Sequence, residues 1–153
     1  MTRDIILKQL RKGWLTTLVL SPLAACLAIQ LVLLKPSEGF EGKQAALVLS
    51  ILGAILAIVL VVGAATLFLN LYPDVRNEKS YIFFSWYLIP VLLIIIFVTT
   101  SDSTDEPDMW PLFAAAALPF FCIHTWFFIR FIKAMGRIKK ELSDAEEQVS
   151  VTN

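Results

Sequence analysis

Inside four long apolar runs the chain carries one histidine, His124, two side-chain amides, Gln30 and Asn70, two thiols, Cys26 and Cys122, and no carboxylate. Ionisable groups are costly in hydrocarbon, so those found there are the first candidates for function. A histidine so placed relays protons, senses pH, or bonds a carbonyl or hydroxyl on a neighbouring helix. No acid in any run stands ready to pair with His124, which lies six residues before Arg130. Gln30 and Asn70 fall near opposite ends of their runs, where bonds between helices or to headgroups satisfy an amide. His124, Gln30 and Asn70 are therefore the candidate intramembrane polar set.

The residue inventory excludes several chemistries. A small proton-coupled exporter needs an embedded Asp or Glu, and the runs hold none. A quinone-linked thiol oxidase needs an outward-facing cysteine pair, whereas Cys26 and Cys122 both lie within apolar runs. Helical zinc hydrolysis needs two histidines, and the chain has one. No Gly-x-Ser-x-Gly turn accompanies a serine, and no glycine loop is built to cradle phosphate. The expectation is a protein that is not an enzyme, with no catalytic, metal or cofactor-binding residues.

One polar stretch stands out between the third and fourth runs. Ser101 to Met109 contains Asp102, Asp105, Glu106 and Asp108 and no base. Such oxygens hold Ca²⁺, face a basic partner, or draw cations to a pore mouth. The spacing lacks the glycine and closing Glu of an EF-hand loop, so the four acids are read as a solvated loop and the candidate outer-face partner contact.

The elements that must position these residues are the runs themselves. Trp14 to Leu34, Ala45 to Leu71, Tyr81 to Thr100 and Trp110 to Ile132 are each near the ~20 residues needed to cross a ~30 Å hydrocarbon core. Four spans return both termini to one side. With the termini and the connection after the second run in the cytoplasm, eleven of the thirteen Lys and Arg residues fall there, and only Lys35 and Lys43 fall outside. The positive-inside rule selects this orientation. The same division leaves the cytoplasmic side with eleven bases against seven acids and the outer side with two against six. A hydrophobic content of 58% removes the chain from the soluble class. The predicted fold class is an all-α membrane protein, a four-transmembrane-helix up-down-up-down bundle with N- and C-termini cytoplasmic. No basic face is large enough for several phosphate contacts along a nucleic acid, so no nucleic-acid partner is expected. The scattered cytoplasmic bases suit anionic headgroups of the lipid bilayer. Outer loops without cysteine carry no disulfide framework, which disfavours eukaryotic four-span families with paired loop cysteines and points to a bacterial cytoplasmic (inner) membrane. Leu23-Ala24-Ala25-Cys26 has the form of a lipoprotein cleavage site. Apolar residues nonetheless continue through Leu34 where a polar tether would follow, so an uncleaved span is expected.

Residues 1–13 place Ile6, Leu7, Leu10 and Trp14 opposite Lys8, Arg11 and Lys12, the pattern of a basic interfacial segment with Trp14 as anchor. Pro22, Pro90 and Pro119 each free a backbone carbonyl that a neighbouring helix or a local bend must accommodate. In the second run Ser50, Gly53, Ala57 and Ala64 mark a candidate helix-packing face, since small residues let backbones approach where lipid removes the hydrophobic drive. Tyr72-Pro73-Asp74 predicts a turn. Residues 133–153 form an amphipathic cytoplasmic tail whose candidate seam, Met135, Ile138, Leu142 and Ala145, repeats at heptad spacing. Arg137 with Glu141 and Lys140 with Asp144 stand four apart, as exposed helical pairs do. The second span and the tail are the candidate surfaces for a homo-oligomer.

The charged turn Asn77-Glu78-Lys79-Ser80 leads into Tyr81-Ile82-Phe83-Phe84-Ser85-Trp86-Tyr87-Leu88-Ile89-Pro90. This segment, with the chain's length and span number, resembles small four-span immunity proteins encoded beside bacterial toxins. The resemblance is one of texture and transfers no residue role. It implies a protein that protects its own cell by binding a membrane-active or membrane-delivered toxin. A small oligomeric pore or membrane-depolarising effector, and an accessory subunit of a membrane complex, are the alternatives.

Overall fold

The computed structural model describes residues 2–33, 40–101 and 110–151, which are helical apart from short breaks at Tyr72 and Glu78. In chain order the elements are α1 (Thr2–Leu33), α2 (Phe40–Gly63), a 3₁₀ helix (Ala64–Leu71) that continues α2, the short α3 (Pro73–Asn77), α4 (Lys79–Ser101) and α5 (Trp110–Val151). Four stretches, Arg3–Leu33, Ala46–Leu71, Lys79–Thr99 and Phe113–Glu141, are long and apolar enough to cross a membrane. Their outward faces carry large apolar side chains such as Leu27, Leu31, Ile96 and Leu118. In water such a surface would be an aggregation liability, whereas in lipid it is the face the solvent prefers.

Packing is set by residue size. α1 packs most extensively on α2 and α5. Ser50, Gly53, Ala57 and Ala64 are all buried. A Cβ on Gly53 would overlap the tip of Ile29 from α1 and stand 3.4 Å from the Ala116 Cβ of α5, so three backbones converge at this glycine. Gly63 does the same toward α4, where a Cβ would lie 2.7 Å from Leu93 and 3.0 Å from Ile89. Along α1, Trp14 meets Val61 while Gln30 meets Ser50, so the two helices are read in opposite senses. One apolar cluster joins Leu60, Val61, Ala64, Ala117 and Phe120. A second joins Ile6, Leu10, Leu67, Ile82, Trp86 and Phe131 at one end of the bundle.

Three features add to what the sequence pattern shows. The head is the first part of α1, which is continuous from Thr2, and Ile6 and Leu10 are fully buried in the second cluster beside Leu67, Ile82, Trp86 and Phe131. Trp14 is half-buried, its Nε1 donating to the Val61 carbonyl at 2.9 Å and its ring edge-on to Phe68. The second run does not stay α-helical, since its last eight residues tighten into 3₁₀ form. At 1.5 Å per residue the 42 residues of α5 extend ~63 Å, about twice the hydrocarbon core, so the helix must project beyond it.

At the turn, Tyr72 is extended and Pro73 opens α3 at a position where its missing N–H costs nothing. Asp74 sits in the first turn and Arg76 in the last, each favourable to the helix dipole. In the tail, Met135 packs on the second cluster and Ile138 is half-buried. The side chains of Leu142 and Ala145, and Asp102, Asp105, Glu106 and Asp108 entirely, lie outside the described residues. Arg137, Glu141, Lys140 and Asp144 are exposed, and the two expected ion pairs do not close among the described residues.

Candidate functional site: a polar collar beside Pro90

Proline at position 90 has no N–H, so the carbonyl four residues earlier, on Trp86, loses its partner within α4. In hydrocarbon an orphaned carbonyl costs several kcal/mol by order of magnitude, and another donor must reach it. The donor is His124, whose Nε2 lies 3.0 Å from the Trp86 oxygen. A carbonyl can only accept, so Nε2 carries the proton. The imidazole is 1% exposed, stacks on Phe120 at 5.1 Å and packs against the rings of Trp86 and Tyr87.

The two neighbours of Trp86 are also tied to other helices. Ser85 offers its carbonyl to Thr66 Oγ1 at 2.7 Å. Its hydroxyl accepts from Asn70 Nδ2 at 2.6 Å and donates to the Ile82 carbonyl at 2.7 Å. Asn70 Nδ2 also donates to Leu67 at 2.7 Å, which fixes the orientation of the amide because Leu67 O can only accept. Tyr87 OH lies 2.9 Å from Thr125 Oγ1. Three consecutive residues of α4 are thereby gripped from two directions, Ser85 by the 3₁₀ helix and Trp86 and Tyr87 by α5. Tightening to 3₁₀ geometry accompanies this grip, and long 3₁₀ runs are uncommon without such local cause.

His124 and Asn70 therefore act on adjacent residues of α4, which spacing along the chain does not disclose. Gln30 is not with them: its Nε2 donates to Ser50 Oγ at 3.0 Å, and Ser50 in turn donates to the Ala46 carbonyl at 2.8 Å. Cys26 Sγ approaches the Ser50 carbonyl at 3.4 Å, and its neighbour Ala25 is fully buried in mid-helix. Among the described residues, Ser21 Oγ, Asn70 Oδ1 and Trp86 Nε1 are buried without a partner. Among the described residues no three His, Cys, Asp or Glu side chains converge. Ser85 and Thr125 carry no sequence signal that sets them apart from other hydroxyls in the runs, whereas Ser50, Thr66 and Asn70 are the polar positions of the second run. Thr66 and Asn70 stand four apart, but their partner is set by the length of the Tyr72 to Glu78 connection.

Fold and side-chain geometry together define the class: a protein helical throughout its described residues, with four helices suited to span a membrane, in which the 3₁₀ helix, α4 and α5 are tied together by hydrogen bonds at a proline break. Compared with known protein families, curated proteins and solved structures, the chain matches none.

Proposed function

We propose that this chain is a non-enzymatic integral membrane protein that works by binding a protein partner, in the manner of four-span bacterial immunity proteins that protect their own cell from a toxin. The supporting observation is the collar. His124, Thr66 and the Asn70 amide nitrogen each donate to α4, the Ser85 hydroxyl donates on to the Ile82 carbonyl of its own helix, and Phe120, Leu60, Val61 and Ala64 fill the space beside them. A proton relay or conduction path needs polar groups open to water or to one another along the span, and these face helix backbone. Recognition by the surfaces is then the remaining work.

In this reading the bundle runs up-down-up-down in a bacterial inner membrane with both termini cytoplasmic, following the eleven-to-two division of bases. The outer acids Asp102, Asp105, Glu106 and Asp108 form the face for a toxin or other protein partner. The small-residue face of α2 is occupied inside the chain by Ile29 and Ala116, and Met135 by the second cluster, which leaves the α5 tail beyond Met135 as the seam for self-association. Viability in four expression combinations tests the reading: neither gene, this gene alone, the adjacent gene alone, and both. Expression alone is expected to be harmless and to rescue cells from the adjacent gene's product. Growth arrest by this chain alone favours the pore-forming alternative and contradicts the proposal, as does failure to rescue.

A further inference from the structure

A cavity of about 330 Å³ opens between the first turns of α1 and the middle of α5, next to the buried end of the bundle. That is within the size range of small-molecule sites. Its floor is apolar, with Leu10, Phe131 and Trp86, and the Trp86 Nε1 has no hydrogen-bond partner. Its walls bring together Lys12 from α1 and Arg130, Lys133 and Arg137 from α5, with no carboxylate among the described lining residues. Arg130, Lys133 and Arg137 fall at three- and four-residue intervals on one face of α5, and Lys12 completes the group from the facing helix. Among the described residues none of the four is held in an ion pair. Arg130 is steadied instead by the Trp126 ring, 4.8 Å below its guanidinium carbon.

Four like charges around one cavity repel unless an anion joins them. The surroundings say what kind of anion. Ile129, Ile132 and Trp126, on the same stretch of α5, are exposed apolar side chains, so the cations lie where a lipid-facing surface meets the polar zone. An amphiphile fits such a boundary, while a freely soluble anion has no use for the apolar border. We propose that this cavity binds the phosphate headgroup of one acidic phospholipid, its charge among Lys12, Arg130, Lys133 and Arg137 and its chains along the apolar face of α5. A bound lipid there would brace α1 against α5 at the end where both project from the core.

Native mass spectrometry of the intact protein, offered equal phosphatidylglycerol and phosphatidylcholine, tests this directly. The expected result is one retained phosphatidylglycerol per chain, preferred by about tenfold or more. R130Q/R137Q should abolish the preference and R130K/R137K should keep it, while K139Q/K140Q, on the exposed tail outside the cavity, should leave it unchanged. Inorganic phosphate at millimolar concentration should not displace the lipid. Equal retention of both lipids by the unaltered protein overturns the proposal, whether or not any variant folds. So does equal loss in the tail variant, or displacement by inorganic phosphate, which would mark a site for soluble anions.

Discussion

At Trp86 a single missing proton decides what a histidine does. Pro90 removes the donor for the Trp86 carbonyl, and His124 replaces it from another helix. Replacing His124 with Phe should therefore cost about 1 kcal/mol of bundle stability, the scale of inter-helix hydrogen bonds within membranes. In a P90A background, which restores the intrahelical N–H, the same substitution should cost markedly less. Unfolding titrations in mixed micelles of the two single variants and the double variant read this coupling, and an unchanged cost in the P90A background would remove the argument. The freed carbonyl was legible from Pro90 alone. Its partner was not, because nothing local to His124 reveals which turn of α4 packs beside it. Asn70 is similar: its polarity was visible, whereas its bond to Ser85 depends on how the Tyr72 to Glu78 connection folds back.

At the scale of elements, the apolar runs and the small-residue face of α2 could be read directly, because hydropathy and side-chain size act locally. The ends of the helices could not. Residues 1–13 have the pattern of a surface helix, and Leu67, Ile82, Trp86 and Phe131 from three other elements turn Ile6 and Leu10 into core. The 3₁₀ segment had no signal of its own beyond Gly63 at its start. Glycine positions separate close packing from mere composition. Gly53→Leu and Gly63→Leu should each destabilise the bundle by roughly 1–3 kcal/mol through overpacking against Ile29 or against Leu93 and Ile89. Gly136 has no heavy atom within 4 Å of an added Cβ, so Gly136→Ala should stabilise the projecting helix by up to about 1 kcal/mol. Thermal scans of the three variants in one detergent would show both directions, and a destabilising Gly136→Ala would mean that this stretch is packed against something.

For the whole molecule, charge is confined to the ends of the four apolar runs and the segments beyond them, and His124, Thr66 and Asn70 bond to backbone or hydroxyl groups of α4. The orientation proposed from the bases has its own test: a cysteine introduced between Ser101 and Asp108, in a background lacking Cys26 and Cys122, should react with an impermeant maleimide in intact cells. Labelling only after lysis would invert the bundle. The proposed closed interior is supported by the collar and the packed side chains of Phe120, Leu60 and Val61. The most direct test of a closed, partner-binding bundle is an ion-gradient measurement on liposomes holding the purified protein at a low protein-to-lipid ratio. The account predicts that the gradient persists as in protein-free liposomes, and a sustained leak that scales with protein would contradict it.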